Sequence, residues 1–124
     1  DDSFASAANY LKKIGWKKNE PCFYKIDLSD DIPVKFLNSS ARQIKNKRKT
    51  NFFKKYIKNF DKLKLKKNLD AAIIIPDKDI IPGAKTLTPA YIVFENYEKI
   101  LSWNRSLRFA LAVCTLKSNF ENEI

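Results

Sequence analysis

Residues 89–117 read PAYIVFENYEKILSWNRSLRFALAVCTLK, and the change of period inside this stretch decides the fold class. Ala90 to Phe94 is a short β-branched and aromatic run introduced by Pro89, which reads as a buried strand. Tyr97, Ile100 and Leu101 then fall at helical intervals, so a helical turn follows. From about Arg105 to Lys117 a last helix carries Leu107, Ala110, Leu111 and Cys114 on one face and Phe109, Val113 and Leu116 on another. A helix that is apolar on most sides is expected to be buried. A strand leading directly into helices implies an α+β arrangement.

Working outward, Ala71 to Ile75 is a second β-branched run, ended by Pro76, and Pro82 and Gly83 punctuate the loop between the two runs. Cys22 to Leu28 alternates in part, Tyr24, Ile26 and Leu28 against Lys25 and Asp27, and reads as a half-buried strand. These three segments are expected to form a small antiparallel sheet. Ser29 to Asp31 breaks the first of them, and Ile32 to Leu37 suits a short helical turn.

Two further helices are expected. Phe4, Ala7, Ala8, Leu11 and Ile14 make one apolar face, with Asp2 or Ser3 as its cap, Gly15 at the left-handed end and Trp16 folding back over it. A second, capped by Thr50, places Phe52, Phe53, Tyr56, Ile57 and Phe60 inward and its lysines outward, before a lysine-rich connection from Leu63 to Asp70. The fold expected is α+β, helices around a small antiparallel sheet, in a single lobe spanning 1–124 without internal repeat or long linker.

The net charge is +10, from 24 Lys and Arg against 14 Asp and Glu. Such a balance attracts polyanions. The basic run Arg42 to Lys49 followed by Phe52 and Phe53 is the best nucleic-acid candidate, but aromatics at helical spacing are more often core, and the lysines are accompanied by many Asn and Ile residues. The reading adopted is a solvated basic surface with no nucleic-acid partner. A non-catalytic basic module for nucleic acid or an anionic envelope polymer stands as the alternative.

Cys22 and Cys114 form no CxxC or Cys/His spacing, and the chain has no histidine, so no metal site is expected. Both read as buried thiols, with a disulfide left open for an oxidising compartment. No stretch reaches the roughly 18 to 20 apolar residues of a membrane-spanning helix. Methionine is absent, at position 1 as elsewhere, and the chain reads as a piece of a longer protein.

Catalytic chemistry is hard to place. Glu20, Glu95, Glu98, Glu121 and Glu123 fall at turns, helix edges or the tail, where a solvated carboxylate is expected. No serine has a histidine to activate it, and there is no glycine-rich phosphate loop. No catalytic residue and no cofactor are expected.

Recognition chemistry is easier to find. Trp103-Asn104-Arg105-Ser106 falls where one apolar segment ends and the last helix begins. An indole face can cover the C–H face of a sugar ring while Asn and Ser bond its hydroxyl or acetamido groups. The competing reading makes Trp103 core and Asn104 or Ser106 a helix cap. Tyr10, in Asn9-Tyr10, sits at the edge of the first helix's apolar face and suits an interface as well as a ligand.

These segments together resemble a known family. Ser6-Ala7-Ala8-Asn9-Tyr10-Leu11 with Gly15-Trp16 downstream is similar to the S-x-A-N-Y-L/F and G-W motifs of the lytic murein transglycosylases of the membrane-bound B family. Pro89-Ala90-Tyr91-Ile92-Val93, Asn96-Tyr97, Ile100-Leu101, Trp103-Asn104-Arg105-Ser106 and Phe109-Ala110-Leu111-Ala112-Val113 resemble its later motifs in the right order. The match is good over 2–21 and about 71–117 and recognisable only in pattern between them.

The resemblance implies the C-terminal part of a lysozyme-like transglycosylase fold. Such enzymes cleave the β-1,4 bond between N-acetylmuramic acid and N-acetylglucosamine. One glutamate acts first as acid on the glycosidic oxygen and then as base on the muramoyl 6-hydroxyl, giving a 1,6-anhydro product. That glutamate lies in an E-[ST]-x-x-G type motif preceding the Asn-Tyr helix, and this chain has no matching motif. Tyr10 matches the groove tyrosine, and Trp103 and Asn104 match an aromatic-Asn pair. Phe109 stands where tyrosine is usual, and Ser106 is implied as the cap of the final helix. Asp2 aligns with the last position of an EF-hand-like calcium loop found in some members, too little for a metal site. The implied partner is the glycan strand of peptidoglycan, met by a monomer in the periplasm or at the outer membrane of a Gram-negative bacterium, with membrane contact only through a lipid anchor outside this chain.

Overall fold

In the computed structural model, which describes residues 2–76, 87–117 and 121, the chain opens with helix α1, Asp2–Lys13. Asp2 and Ser3 stand at the first positions of the helix, and their side chains, with the expected cap, lie outside the described residues. Gly15 closes it with φ +94, and the Trp16 N–H donates to the Leu11 carbonyl at 2.9 Å, which folds the buried indole back over the helix end. Strand β1 follows at Phe23–Ile26, β2 at Leu37–Asn38 after a 3-10 turn over Val34–Phe36, and β3 at Arg48–Lys49. Helix α2 is short, Thr50–Phe53, and strands β4 and β5 cover Asp70–Ile74 and Ala90–Val93. Helices α3, Glu95–Trp103, and α4, Leu107–Thr115, complete the order. The expected Pro82 and Gly83 loop, the Phe4 side chain and Glu123 lie outside the described residues.

The sheet runs in the order β1-β5-β4-β2, with β3 pairing the first residues of β4. The β1–β5 and β4–β5 pairs are antiparallel, as the three apolar runs suggest. The β2–β4 pair is parallel, so the sheet is mixed and not purely antiparallel. A two-residue strand has no period to read in sequence. Its pairing is set by Asn38, whose carbonyl accepts from Ile75 N–H at 2.8 Å while its amide donates to Ile73 and Lys45 carbonyls at 2.9 and 3.0 Å.

Side chains of β4 alternate between two cores. Ala72 and Ile74 face one that holds Ala8, Leu11, Trp16, Tyr97, Ile100, Leu101 and Ala110 under the three longer helices. Ala71, Ile73 and Ile75 face the other, with Ile26, Leu28, Phe36, Phe53 and Ile57. No helix among the described residues is long and apolar enough to cross a membrane.

The helix expected over Thr50 to Phe60 is broken. It stops at Phe53 and gives way to 3-10 turns over Lys54–Tyr56 and Phe60–Leu63. Pairing beyond β1 takes the backbone groups that a helix would use. Ile57 lies opposite Leu28, Ser29 N–H donates to the Tyr56 carbonyl, and Lys58 N–H donates to the Asp27 carbonyl, both at 2.8 Å. Thr50 is no cap either: its hydroxyl bonds Lys67 O at 3.2 Å and accepts from Leu69 N–H at 3.3 Å. The aromatic residues nevertheless point inward, Phe53 fully and Phe52, Tyr56 and Phe60 in part.

Three other expectations are corrected. Cys22 and Cys114 are joined in a disulfide and are not free thiols, because α4 packs its inner face beside the start of β1 with the two Cα atoms 5.8 Å apart. Helix α4 fully buries the side bearing Leu107, Ala110 and Cys114, leaves Phe109, Leu111 and Val113 half-buried against the same core, and is followed by Leu116, 46% exposed, so it is not buried on most sides. Glu121 is buried and not a solvated tail residue, its carboxylate accepting from Trp16 Nε1 at 3.1 Å and Asn19 N at 3.2 Å.

Candidate functional site

Helix α3 ends on Trp103 because Asn104 turns to extended backbone, φ −139 and ψ 116, while its N–H still closes on the Ile100 carbonyl at 3.1 Å. Ser106 N–H then donates to the Asn104 carbonyl at 2.8 Å, which tightens the corner. Ser106 caps α4, its Oγ accepting from Phe109 N–H at 3.1 Å, as its place before an apolar helix suggests. Beneath the corner the buried Tyr97 hydroxyl donates to the Leu107 carbonyl at 2.9 Å and locks α3 onto α4. Burial holds the Tyr97 phenol well above its ordinary pKa and so keeps it a donor.

This corner leaves Trp103 43% exposed, so the reading of Trp103 as core does not hold. Two further rings meet it. Tyr10 reaches over from α1 with its centroid 4.8 Å from that of Trp103, tilted by 42°, and is 37% exposed. Phe109 meets it edge-on from α4 at 5.5 Å and 80°. Such offset and edge-on pairs are the preferred aromatic geometries, and each ring limits the rotamers of the next. The distant helix α1 and the consecutive helices α3 and α4 thus bring Tyr10, Trp103 and Phe109 into one cluster, open to solvent.

Asn104 is exposed beside the cluster, and its side-chain amide has no protein partner among the described residues. Ser106 has its oxygen committed to the cap, so it positions Phe109 more than it offers itself outward. A hollow of about 390 Å³ adjoins the corner, lined by Arg42, Gln43, Lys47, Glu98, Ser102 and Arg105. The ordered rings and the free amide can take a flat, C–H-rich face with a polar rim, the shape of a pyranose.

Glu98 lines the hollow beside this corner, with its carboxylate engaged by a lysine. Glu95 pairs with Lys17 at 2.9 Å and Glu98 with Lys47 at 2.8 Å, both on the surface. The hydrogen bond to Glu95 and its charge hold the Lys17 ammonium above its ordinary pKa. Glu121, the buried acid, is committed to Trp16 and Asn19 and has Lys117 Nζ at 3.5 Å.

Sequence reading missed the positioning role of Asn96. Its Oδ1 accepts from Lys17 N–H and its Nδ2 donates to the Lys17 carbonyl, each at 2.8 Å, which clamps α3 to the chain after α1 and so sets Trp103 beside Tyr10. Asn96 falls four residues before Ile100, on the apolar face of the helix, and that placement was the available signal.

Residues 1–118 match the family model described as the transglycosylase SLT domain. No curated protein matches the chain.

Proposed function

Because the chain belongs to the transglycosylase SLT domain family, the family of peptidoglycan lytic transglycosylases, we propose that it supplies one wall of a glycan groove, with Tyr10, Trp103 and Phe109 as the sugar platform. The observation that carries this reading is the convergence of the three rings at 4.8 and 5.5 Å on an exposed indole. Asn104 offers an amide to an acetamido or hydroxyl group at the rim. Ser106 and Asn96 position the platform without touching the sugar.

The order of motifs favours the membrane-bound B type within the family, and a C-terminal lobe of its catalytic domain, working in the periplasm or at the outer membrane. Phe109 keeps a ring against Trp103 but brings no hydroxyl. Because no residue of this chain matches the E-[ST]-x-x-G glutamate of the family, the lobe is assigned to holding the strand between muramoyl and glucosaminyl units, and release of a 1,6-anhydro product is assigned to an acid outside it.

Isothermal titration with N-acetylglucosamine oligomers tests the platform. The chain is expected to bind saturably, and Trp103→Ala to weaken binding at least about thirtyfold, the scale of a central aromatic contact worth about 2 kcal/mol. Trp103→Phe should retain most of the affinity. Binding indifferent to Trp103→Ala moves the site elsewhere.

A further inference from the structure

Charge is divided unevenly along this chain. Residues 35–67 hold thirteen Lys and Arg, eleven of them Lys, against the single acid Asp61, which leaves eleven cations and thirteen acids, net −2, for the remainder. All thirteen cations are exposed. Four of them are backed by rings. Arg48 lies over Phe36 and Phe52 at 5.4 and 5.7 Å, Lys35 over Phe36 at 5.2 Å, Lys55 over Phe52 and Tyr56 at 5.2 and 5.1 Å, and Lys54 over Phe60 at 5.9 Å. Phe36, Phe52 and Tyr56 form a row, with Phe36–Phe52 centroids 5.2 Å and Phe52–Tyr56 centroids 6.2 Å apart. None of the four cations has an acidic partner among the described residues, although Lys47 and Lys49 nearby do.

The side of the molecule on which this row lies is fixed by packing. Phe36, Phe52, Tyr56 and Phe60 belong to the core on the Ala71, Ile73 and Ile75 face of β4, whereas Leu107, Phe109 and Ala110 belong to the core on the Ala72 and Ile74 face. The sheet therefore separates the cationic row from the aromatic corner at Trp103. Like charges gathered with no acids between them repel one another, and the rings beneath offset part of that repulsion while ordering the cations.

We infer that Lys35, Arg48, Lys54 and Lys55, on their floor of rings, form a second binding face that docks on the headgroups of an anionic lipid bilayer. Three features choose a bilayer over a linear polyanion. The cations of the segment are nearly all lysines, point charges suited to a diffuse negative layer and not to planar forks on fixed phosphates. Half-buried Phe52, Tyr56 and Phe60 stand among them, and Val34 beside Lys35 is 59% exposed, as at surfaces that meet the apolar edge of a headgroup layer. The cations also ride on a row of rings and do not line the walls of a channel that would track a single strand. Docked this way, the lobe holds its aromatic corner on the side of the sheet turned away from the lipid.

Cosedimentation of the full chain with phosphatidylcholine vesicles, with and without phosphatidylglycerol, tests the inference. Binding is expected only with phosphatidylglycerol and should weaken steeply as salt rises. The triple change Lys35→Gln, Arg48→Gln, Lys55→Gln is expected to lower it roughly a hundredfold, at about fivefold per cation. The pair Lys54→Gln, Lys55→Gln, which leaves Arg48 stacked, should lower it roughly twentyfold. An equal charge loss on the helical side, Lys12→Gln, Lys13→Gln, Lys18→Gln, should change it only a few-fold. Three results overturn the inference: no binding to phosphatidylglycerol vesicles, equal loss in the two triple variants, or tighter binding to short duplex DNA or polyphosphate than to vesicles. Each can be read while oligosaccharide binding at Trp103 is intact, and so apart from the glycan reading.

Discussion

Asn96 shows how much one polar side chain can decide. It stands inside the first turn of α3, 1% exposed, and answers both backbone groups of Lys17 as well as the Glu20 carbonyl at 3.3 Å. Its Ala variant would leave the Lys17 N–H and carbonyl without partners in a partly buried seam. Each such loss costs about 1–3 kcal/mol. Asn96→Ala is therefore expected to lower stability by about 2 kcal/mol, while Asn9→Ala on the exposed side of α1 stays within about 0.5 kcal/mol; urea denaturation of the three proteins checks both values. At this scale much of the corner was legible. Ser106 before an apolar helix announces a cap, and Gly15 announces a left-handed helix end, because both follow from local backbone geometry. The burial of Glu121 was not, since its partners Trp16 and Asn19 lie about a hundred residues away in sequence.

Elements are where local period and long-range pairing compete. In α4 the inner face follows the apolar spacing while the outer apolar residues stay at least partly exposed, and α3 extends the expected turn at Tyr97 to Leu101 into a full helix, Glu95–Trp103. In residues 50–60 period and pairing disagree, and pairing of Tyr56 and Lys58 with the chain after β1 overrides a pattern that reads as one helix. The hydrogen bond between Tyr97 and Leu107 joins the two helices that carry Trp103 and Phe109, and it has a pH signature. Burial raises the folded-state pKa of this phenol above its ordinary value near 10. A raised pKa means that its stabilisation is full below pH 10 and is lost as pH climbs past 10, where the unfolded phenol ionises and the folded one resists. Tyr97→Phe is expected to lower stability at neutral pH by about 1 kcal/mol and to lessen the alkaline loss. Urea midpoints compared between pH 8 and pH 11 check this, and an unchanged alkaline slope would count against the assignment to Tyr97.

The molecule as a whole is a mixed sheet with the three longer helices on one face and the ring-backed cations Lys35, Arg48, Lys54 and Lys55 on the other, closed by a disulfide. The Cys22–Cys114 disulfide spans 92 residues of sequence and ties β1 to α4. A loop of that length makes the link worth about 4–5 kcal/mol through the entropy of the unfolded chain. Replacing both cysteines by alanine, or adding a thiol reductant, is expected to lower the unfolding free energy by that amount while the far-ultraviolet spectrum keeps its shape; a loss under about 0.5 kcal/mol would contradict it.

The amino-acid sequence by itself determined the α+β class, the three longer strands, the helices at either end and the turn with a helix cap at Trp103 to Ser106. Each of these follows from period, caps and residue chemistry over a few neighbouring positions. The tertiary structure alone decided the parallel β2, the broken helix at 50–60, the disulfide, the arrival of Tyr10 over Trp103, and the separation of cationic row from aromatic corner by the sheet. Those depend on which distant segments share backbone hydrogen bonds and a common core, and such pairings leave no local period to read.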